Sequence, residues 1–163
     1  MKIYGVTGWK NSGKTGLVER LVSEFTTRGF SVSTIKHAHH DFDVDRSGKD
    51  SYRHREAGAR EVLLSSRKRF ALMHELRGND EPSLEMLLAK LAPVDLVLIE
   101  GFKRDRHSKI ETHRDVTKND LIAKHDPTIH AVASDVSITI DRPVFDLDDT
   151  ASIADFIAEE IAL

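Results

Sequence analysis

The sequence predicts an α/β fold: a layered domain with a mostly parallel β-sheet flanked by helices, plus an antiparallel β-hairpin around residues 61–76. Three observations lead there. Short β-prone runs alternate with amphipathic stretches along the chain. One run, residues 94–99 (Val-Asp-Leu-Val-Leu-Ile), is nearly all apolar, as befits a strand buried on both faces of a parallel sheet. With 163 residues, no internal repeat and no dividing linker, a single domain over 1–163 is expected.

The elements follow in order. Residues 2–7 form a short strand that ends in glycines. From Lys14 to Arg28, Leu17, Val18, Leu21, Val22 and Phe25 recur at helical spacing, and Gly29 is placed to end the helix. Residues 30–36 carry Val32, Thr34 and Ile35 and read as a second strand. A polar stretch over 37–49 separates it from a short helix over 50–57, which stops near Gly58. Residues 61–65 and 69–76 are β-like runs joined by Ser66-Arg67-Lys68, which suits a hairpin. Residues 83–91 read as a helix that begins around Glu81-Pro82. After the buried strand 94–99 come short strands at 109–112, 129–133 and 144–147. A C-terminal helix over 150–162 places Ile153, Phe156, Ile157 and Ile161 on one face.

Composition removes several kinds of chemistry. The chain has no Cys, which excludes disulfides, Cys-ligated zinc or iron–sulfur sites and a thiolate nucleophile. A net charge of −3 argues against a generic nucleic-acid binder. That near-neutrality is a cancellation. Residues 46–69 hold eight Lys/Arg against three acids, and residues 135–163 hold eight acids against one Arg. The N-terminus lacks a signal-peptide pattern, and no apolar stretch approaches the roughly 20 residues that span a bilayer. A soluble, cytoplasmic protein without membrane partners is expected. No serine lies in a G-x-S-x-G elbow, so acyl transfer has no support.

The strongest signal is Gly8-Trp9-Lys10-Asn11-Ser12-Gly13-Lys14-Thr15, a full match to G-x-x-x-x-G-K-[ST] between a strand and an amphipathic helix. In such a loop the glycines let successive backbone N–H groups turn toward phosphate oxygens. The following helix adds its positive end, Lys14 supplies a cation for the β- and γ-phosphates, and the Thr15 hydroxyl ligates Mg²⁺. The fold is therefore expected to be P-loop NTPase-like, binding a nucleoside triphosphate. Glu100 closes the buried strand, where such folds keep an acid for Mg²⁺, and Gly101 follows it. Lys14 and Glu100 are the candidate catalytic residues.

Other features leave alternatives open. His37, His39 and His40 lie beside Asp41, Asp43 and Asp45, and Asp41 is the candidate second carboxylate for Mg²⁺. Thr117-Lys118-Asn119-Asp120 has the form of a guanine-reading [NT]-K-x-D element, while Asp135, directly after a strand, is an alternative base-reading residue. The basic 46–69 segment allows a small-molecule kinase with an acceptor-phosphate clamp. The 37–45 cluster allows a GTP-dependent metallochaperone.

Three further segments stand out: Ile35-Lys36-His37-Ala38-His39-His40-Asp41-Phe42-Asp43-Val44-Asp45, Gly48-Lys49-Asp50-Ser51-Tyr52-Arg53 and Glu56-Ala57-Gly58-Ala59. With the loop from Gly8 to Thr15 and Leu-Val-Leu-Ile-Glu-Gly-Phe-Lys at 96–103, they resemble the molybdopterin-guanine dinucleotide biosynthesis adapter proteins, the MobB family. The resemblance implies a dimeric GTP-binding protein that assists the guanylyltransferase joining GMP to molybdopterin, with molybdopterin itself a further candidate ligand. It implies slow, Mg²⁺-dependent GTP hydrolysis at most. Under it the residues from Gly8 to Thr15 hold the phosphates, Glu100 is the Walker-B-type acid and the loop 37–45 is switch-like. Gly16 departs from the many members with a second Thr there: its backbone N–H remains, but a hydroxyl contact to the α-phosphate is lost. The edge strand of the 61–76 hairpin is the expected dimer contact.

Overall fold

In the computed structural model, residues 1–38 and 42–163 are described. Chain order is β1 (Lys2–Thr7), α1 (Lys14–Thr27), β2 (Val32–Lys36), α2 (Asp50–Glu56), β3 (Glu61–Ser65), β4 (Phe70–His74), α3 (Leu84–Leu88), β5 (Leu96–Glu100), β6 (Lys109–His113), β7 (Ile129–Ser134), β8 (Val144–Asp146) and α4 (Thr150–Ile161). The chain divides into two compact units, Met1–His37 with Leu84–Leu163, and Ala38–Ser83.

The larger unit is built on a six-stranded sheet in the order β2-β5-β1-β6-β7-β8, in which every pairing is parallel. The buried run expected at 94–99 appears as β5, two residues later at its start, and all five of its residues are buried because both faces are covered. Alternation divides them. Leu96 and Leu98 join Tyr4, Leu17, Leu21, Phe25, Ile153 and Ile157 beneath α1 and α4. Val97 and Ile99 face the other way, onto Leu84 of α3 and Phe102. Each fully buried side chain of this kind contributes about 1.5–3 kcal/mol, so the sheet is held from both sides.

Helix α1 ends one residue earlier than the periodicity predicts, with Gly29 taking the left-handed conformation (φ 94°) that stops it. Helix α3 is shorter than the 83–91 expected. Lys90 and Leu91 donate to Leu87 and Leu88, tightening the last turn away from α-helical geometry. Two 3-10 turns, Asp115–Thr117 and Ile122–Lys124, lie between β6 and β7, where the sequence predicted no element. The Asp149 carboxylate caps α4 by accepting from the Ser152 N–H at 3.1 Å.

Much of the acidic 135–163 segment is structural. Asp155 pairs with Arg28 at the C-terminal end of α1 at 2.6 Å, Asp148 with Arg20 of α1 at 3.5 Å, and Glu160 accepts from the buried Tyr4 hydroxyl at 2.8 Å. Among the described residues, no helix is long and apolar enough to cross a membrane.

The smaller unit carries α2 and the expected hairpin, β3 paired antiparallel with β4. Its centre is Arg55, which reaches Asp43 at 2.9 Å, Glu75 at 3.1 Å and Asp45 at 3.7 Å. Leu63 faces Leu72 across the hairpin, and Phe70 lies two residues along on the same face; all three are exposed.

Candidate functional site

Strand β1 delivers the chain to Gly8 at the carboxyl edge of the sheet, and the loop returns into α1 at Lys14. Gly8, Asn11 and Gly13 have φ of 143°, 65° and 99°, so the loop needs left-handed backbone three times in six residues. At Gly8 space is also lacking: a Cβ would lie 2.5 Å from Ser12 Oγ and 2.6 Å from the Thr112 carbonyl oxygen. The Thr112 hydroxyl donates to the Thr7 carbonyl at 3.1 Å. Its only proton is thereby used, so Ser12 is the donor in the 2.7 Å bond between the two hydroxyls. These buried bonds clamp the loop to β6.

Trp9 and Lys10 lie exposed at the head of the loop, followed by Asn11. The Trp9 indole N–H donates to the Asp120 carbonyl at 2.8 Å, and Lys103 Nζ stands 4.3 Å from the centre of the ring. Lys14 Nζ donates to the Trp9 carbonyl at 2.6 Å. Burial holds the Lys14 ammonium below its ordinary pKa. Lys103 and Lys36 act in the same direction, and Glu100 opposes them. Gly16 lies inside α1 with room to spare, the nearest atom to an added Cβ being Arg20 Nη1 at 3.6 Å.

Thr15 and Glu100 meet. The Thr15 hydroxyl donates to Glu100 Oε1 at 2.8 Å, and Glu100 is 7% exposed. The end of β5 is fixed on both sides: the Gly101 N–H donates to the Val6 carbonyl at 3.1 Å and the His37 N–H to the Glu100 carbonyl at 2.9 Å. Gly101, at φ 97°, brings the backbone so close that a Cβ would lie 3.0 Å from His37 Cβ. A hydroxyl and a carboxylate oxygen side by side are hard donors of the kind Mg²⁺ takes, with water and phosphate oxygens completing its shell.

Two aspartates were candidates for reading a base. Asp135 follows β7 and borders a cleft of about 300 Å³ lined by Ser134, Val136, Phe145 and Asp146. One of its oxygens accepts from the Asp115 N–H at 2.9 Å. The cleft opens at the carboxyl edge, as the phosphate loop does, and between them Arg114 Nε lies 3.2 Å from the Cβ position of Gly13. Asp120 instead gives its carbonyl to Trp9 and its carboxylate to Lys124 at 3.3 Å. In the same stretch Thr117 donates to the Arg114 carbonyl and Lys118 pairs with Asp115, both holding the turn.

Asp41, His39 and His40 lie outside the described residues. His37 stacks on Phe102, ring centres 4.8 Å apart. Asp43 and Asp45 are drawn to Arg55, the middle of the basic segment: Asp43 is hydrogen-bonded to it at 2.9 Å, and Asp45 is held only as an ion pair at 3.7 Å. Among the described residues, no group of three metal-ligating side chains forms.

Sequence reasoning missed several contributors. Lys36 pairs in register with Glu100 across β2 and β5, and both end their strands, a signal visible once strand neighbours are known. Glu111 is fully buried on β6 and accepts the N–H groups of Ile122 (3.0 Å) and Ala123 (2.7 Å), anchoring the turn that follows Asp120. Burial pushes its carboxyl pKa up and those two bonds pull against the rise. Thr112 and Arg114 carry no motif of their own, and Lys103 stands in the sequence only as the last residue of the 96–103 family segment.

Residues 3–135 match the family model of MobB, molybdopterin guanine dinucleotide synthesis protein B. The chain belongs to the MobB family. This MobB chain is 39% identical over 163 residues to the molybdopterin-guanine dinucleotide biosynthesis adapter protein of Escherichia coli, covering 96% of this chain and 91% of the relative. It is 42% identical over 159 residues to the protein of that name from Haemophilus influenzae, covering 95% and 86%. Among solved structures, the MobB homolog of Bacillus stearothermophilus superposes with a TM-score of 0.73 at 27% identity, covering 99% of both chains. The family resemblance and the predicted fold class both hold, with the sheet wholly rather than mostly parallel.

Proposed function

We propose that this MobB protein is a cytoplasmic GTP-binding adapter that assists the guanylylation of molybdopterin, with the guanylyltransferase as its partner. The observation that carries the reading is the junction of the phosphate loop with the β5 acid, Thr15 Oγ1 to Glu100 Oε1 at 2.8 Å. Backbone N–H groups of the loop and the start of α1 receive the phosphates, and Lys14 turns from the Trp9 carbonyl onto the β- and γ-phosphates. Gly16 contributes its N–H. Thr15 and Glu100 hold Mg²⁺, which when bound neutralises charge on the transferring phosphate. Asp135 supports a guanine preference better than Asp120, because it borders an open cleft on the same sheet edge. Lys14 and Glu100 then support slow hydrolysis by positioning and charge alone.

The exposed Leu63, Leu72 and Phe70 face supports a homodimer through the hairpin. Calorimetry tests the nucleotide reading: GTP binds at least about tenfold more tightly than ATP, and Lys14→Ala abolishes binding while leaving the fold intact. Equal GTP and ATP affinities, or unchanged GTP binding in the variant, would overturn it. A guanylylation assay with the guanylyltransferase, with and without this protein and GTP, tests the adapter role.

A further inference from the structure

Lys36 ends β2 directly beside Glu100, which ends β5. Its ammonium donates to Thr15 Oγ1 at 3.2 Å and lies 3.2 Å from Glu100 Oε1. Those are the two oxygens proposed above to hold Mg²⁺. The Lys36 side chain is 57% exposed while that of Glu100 is 10% exposed, so the cation reaches in from solvent to a sheltered carboxylate.

We propose that Lys36 is a tethered cation that occupies the Mg²⁺ position between Thr15 and Glu100 until nucleotide arrives. The inference rests on the reading that these two residues hold Mg²⁺. Both cations need the same oxygen pair, and Mg²⁺ demands close oxygen contacts in near-octahedral order, so an ammonium and the metal repel each other there. Lys36 already pairs with Glu100, and Lys14 and Lys103 add positive charge to the same loop, all of it unfavourable to a free divalent ion. A triphosphate changes that balance by bringing negative charge of its own. Lys36 then swings toward solvent or onto a phosphate oxygen, an inexpensive motion for a side chain already half in water. Two consequences follow. The nucleotide-free protein takes up divalent cations weakly, and nucleotide bound without Mg²⁺ still finds a cation in place.

The test uses Mn²⁺ as the probe, with free ion counted by electron paramagnetic resonance in the nucleotide-free, full-length protein. Lys36→Met is expected to bind Mn²⁺ at least about fivefold more tightly than wild type, and the gain disappears in Lys36→Met/Glu100→Gln. Lys36→Arg, which keeps a cation, behaves as wild type. A smaller gain in natively folded Lys36→Met, a gain that survives loss of Glu100, or equal gains for Met and Arg would each overturn the proposal. A wild-type measurement stands beside it, with Trp9, the chain's single tryptophan, as fluorescent reporter. GTP affinity falls less than about tenfold when Mg²⁺ is replaced by EDTA, and a larger fall refutes the tethered cation. Absence of any GTP signal counts against the nucleotide reading, and the Mn²⁺ measurement then decides this proposal alone.

Discussion

Replacing Gly8 with alanine tests the phosphate loop at its tightest point. The new methyl would sit 2.5 Å from Ser12 Oγ, 2.6 Å from the Thr112 carbonyl oxygen and 2.7 Å from Thr112 Oγ1. Ser12 can rotate away, at the cost of its bond to Thr112. The Thr112 carbonyl cannot, because Thr112 belongs to β6 and is registered against Ala133 of β7. The loop must therefore lift from the sheet. Overpacking costs about 1–3 kcal/mol, and holding a non-glycine residue at φ 143° adds about the same. The expected loss is about 2–6 kcal/mol, which for a chain of this size lowers the melting temperature by roughly 4–24 °C. Lifting the loop also turns its N–H groups away from the phosphates, so GTP affinity falls at least about tenfold. Gly16→Ala is the matched control. Its methyl meets nothing closer than 3.6 Å and gains helix propensity, so the melting temperature holds or rises slightly. Melting followed by circular dichroism and calorimetric GTP titration read both effects. A Gly8→Ala protein with wild-type melting and GTP affinity, or a Gly16→Ala protein damaged equally, would refute the reasoning.

Two further perturbations probe the support around the site. Glu111→Gln can accept only one of the two buried N–H groups that the carboxylate serves, and stranding the other costs about 1–3 kcal/mol. Sparing the burial of a charge returns part of this, leaving an expected loss of about 1–2 kcal/mol in urea unfolding, together with a shifted Trp9 emission as the turn after Asp120 loosens. An unchanged urea midpoint would show that the turn does not depend on the pair of bonds. His107 is packed so closely over β1 that its Nε2 lies 2.5 Å from the Cβ position of Gly5, and neither ring nitrogen has a hydrogen-bond partner among the described residues. Burial, and then Lys109, hold its pKa down at about 4 against an ordinary 6.5, with Asp105 and Asp126 opposing. The unfolded chain therefore binds a proton that the fold refuses, so stability falls as pH drops from 6.5 toward 4 and is unaffected by this group above that window. The full difference would correspond to ~3 kcal/mol; with water reaching part of the ring, about 2 kcal/mol is expected. His107→Leu should lose that much of its acid sensitivity, read as urea midpoints at pH 7 and pH 4.5; parallel pH curves for the two proteins would contradict it.

The elements of this fold are local events, which is why the chain reveals them. The spacing of Leu17, Leu21 and Phe25, the apolar run of β5 and the glycines bracketing the loop each encode a conformation within a few residues. The phosphate loop is legible for the same reason, since its geometry arises from consecutive backbone positions. Errors fell at element ends and connections: α3 is cut short by a tightened final turn, and two unforeseen 3-10 turns follow β6, the second anchored by Glu111.

Sequence alone determined the strand-and-helix order, the family resemblance and the phosphate loop with its candidate acid. Tertiary structure decided which distant side chains share that site. Strand order brings Lys36 onto Glu100 from 64 positions away, and β6 carries Thr112 beneath Ser12 across 100. It also turned opposite charges that looked like ligand sites into structural pairs, as Arg55 does with Asp43 and Asp45. The physical reason is that a hydrogen bond or ion pair depends on separations of about 3 Å in space, and separation along the chain does not encode that.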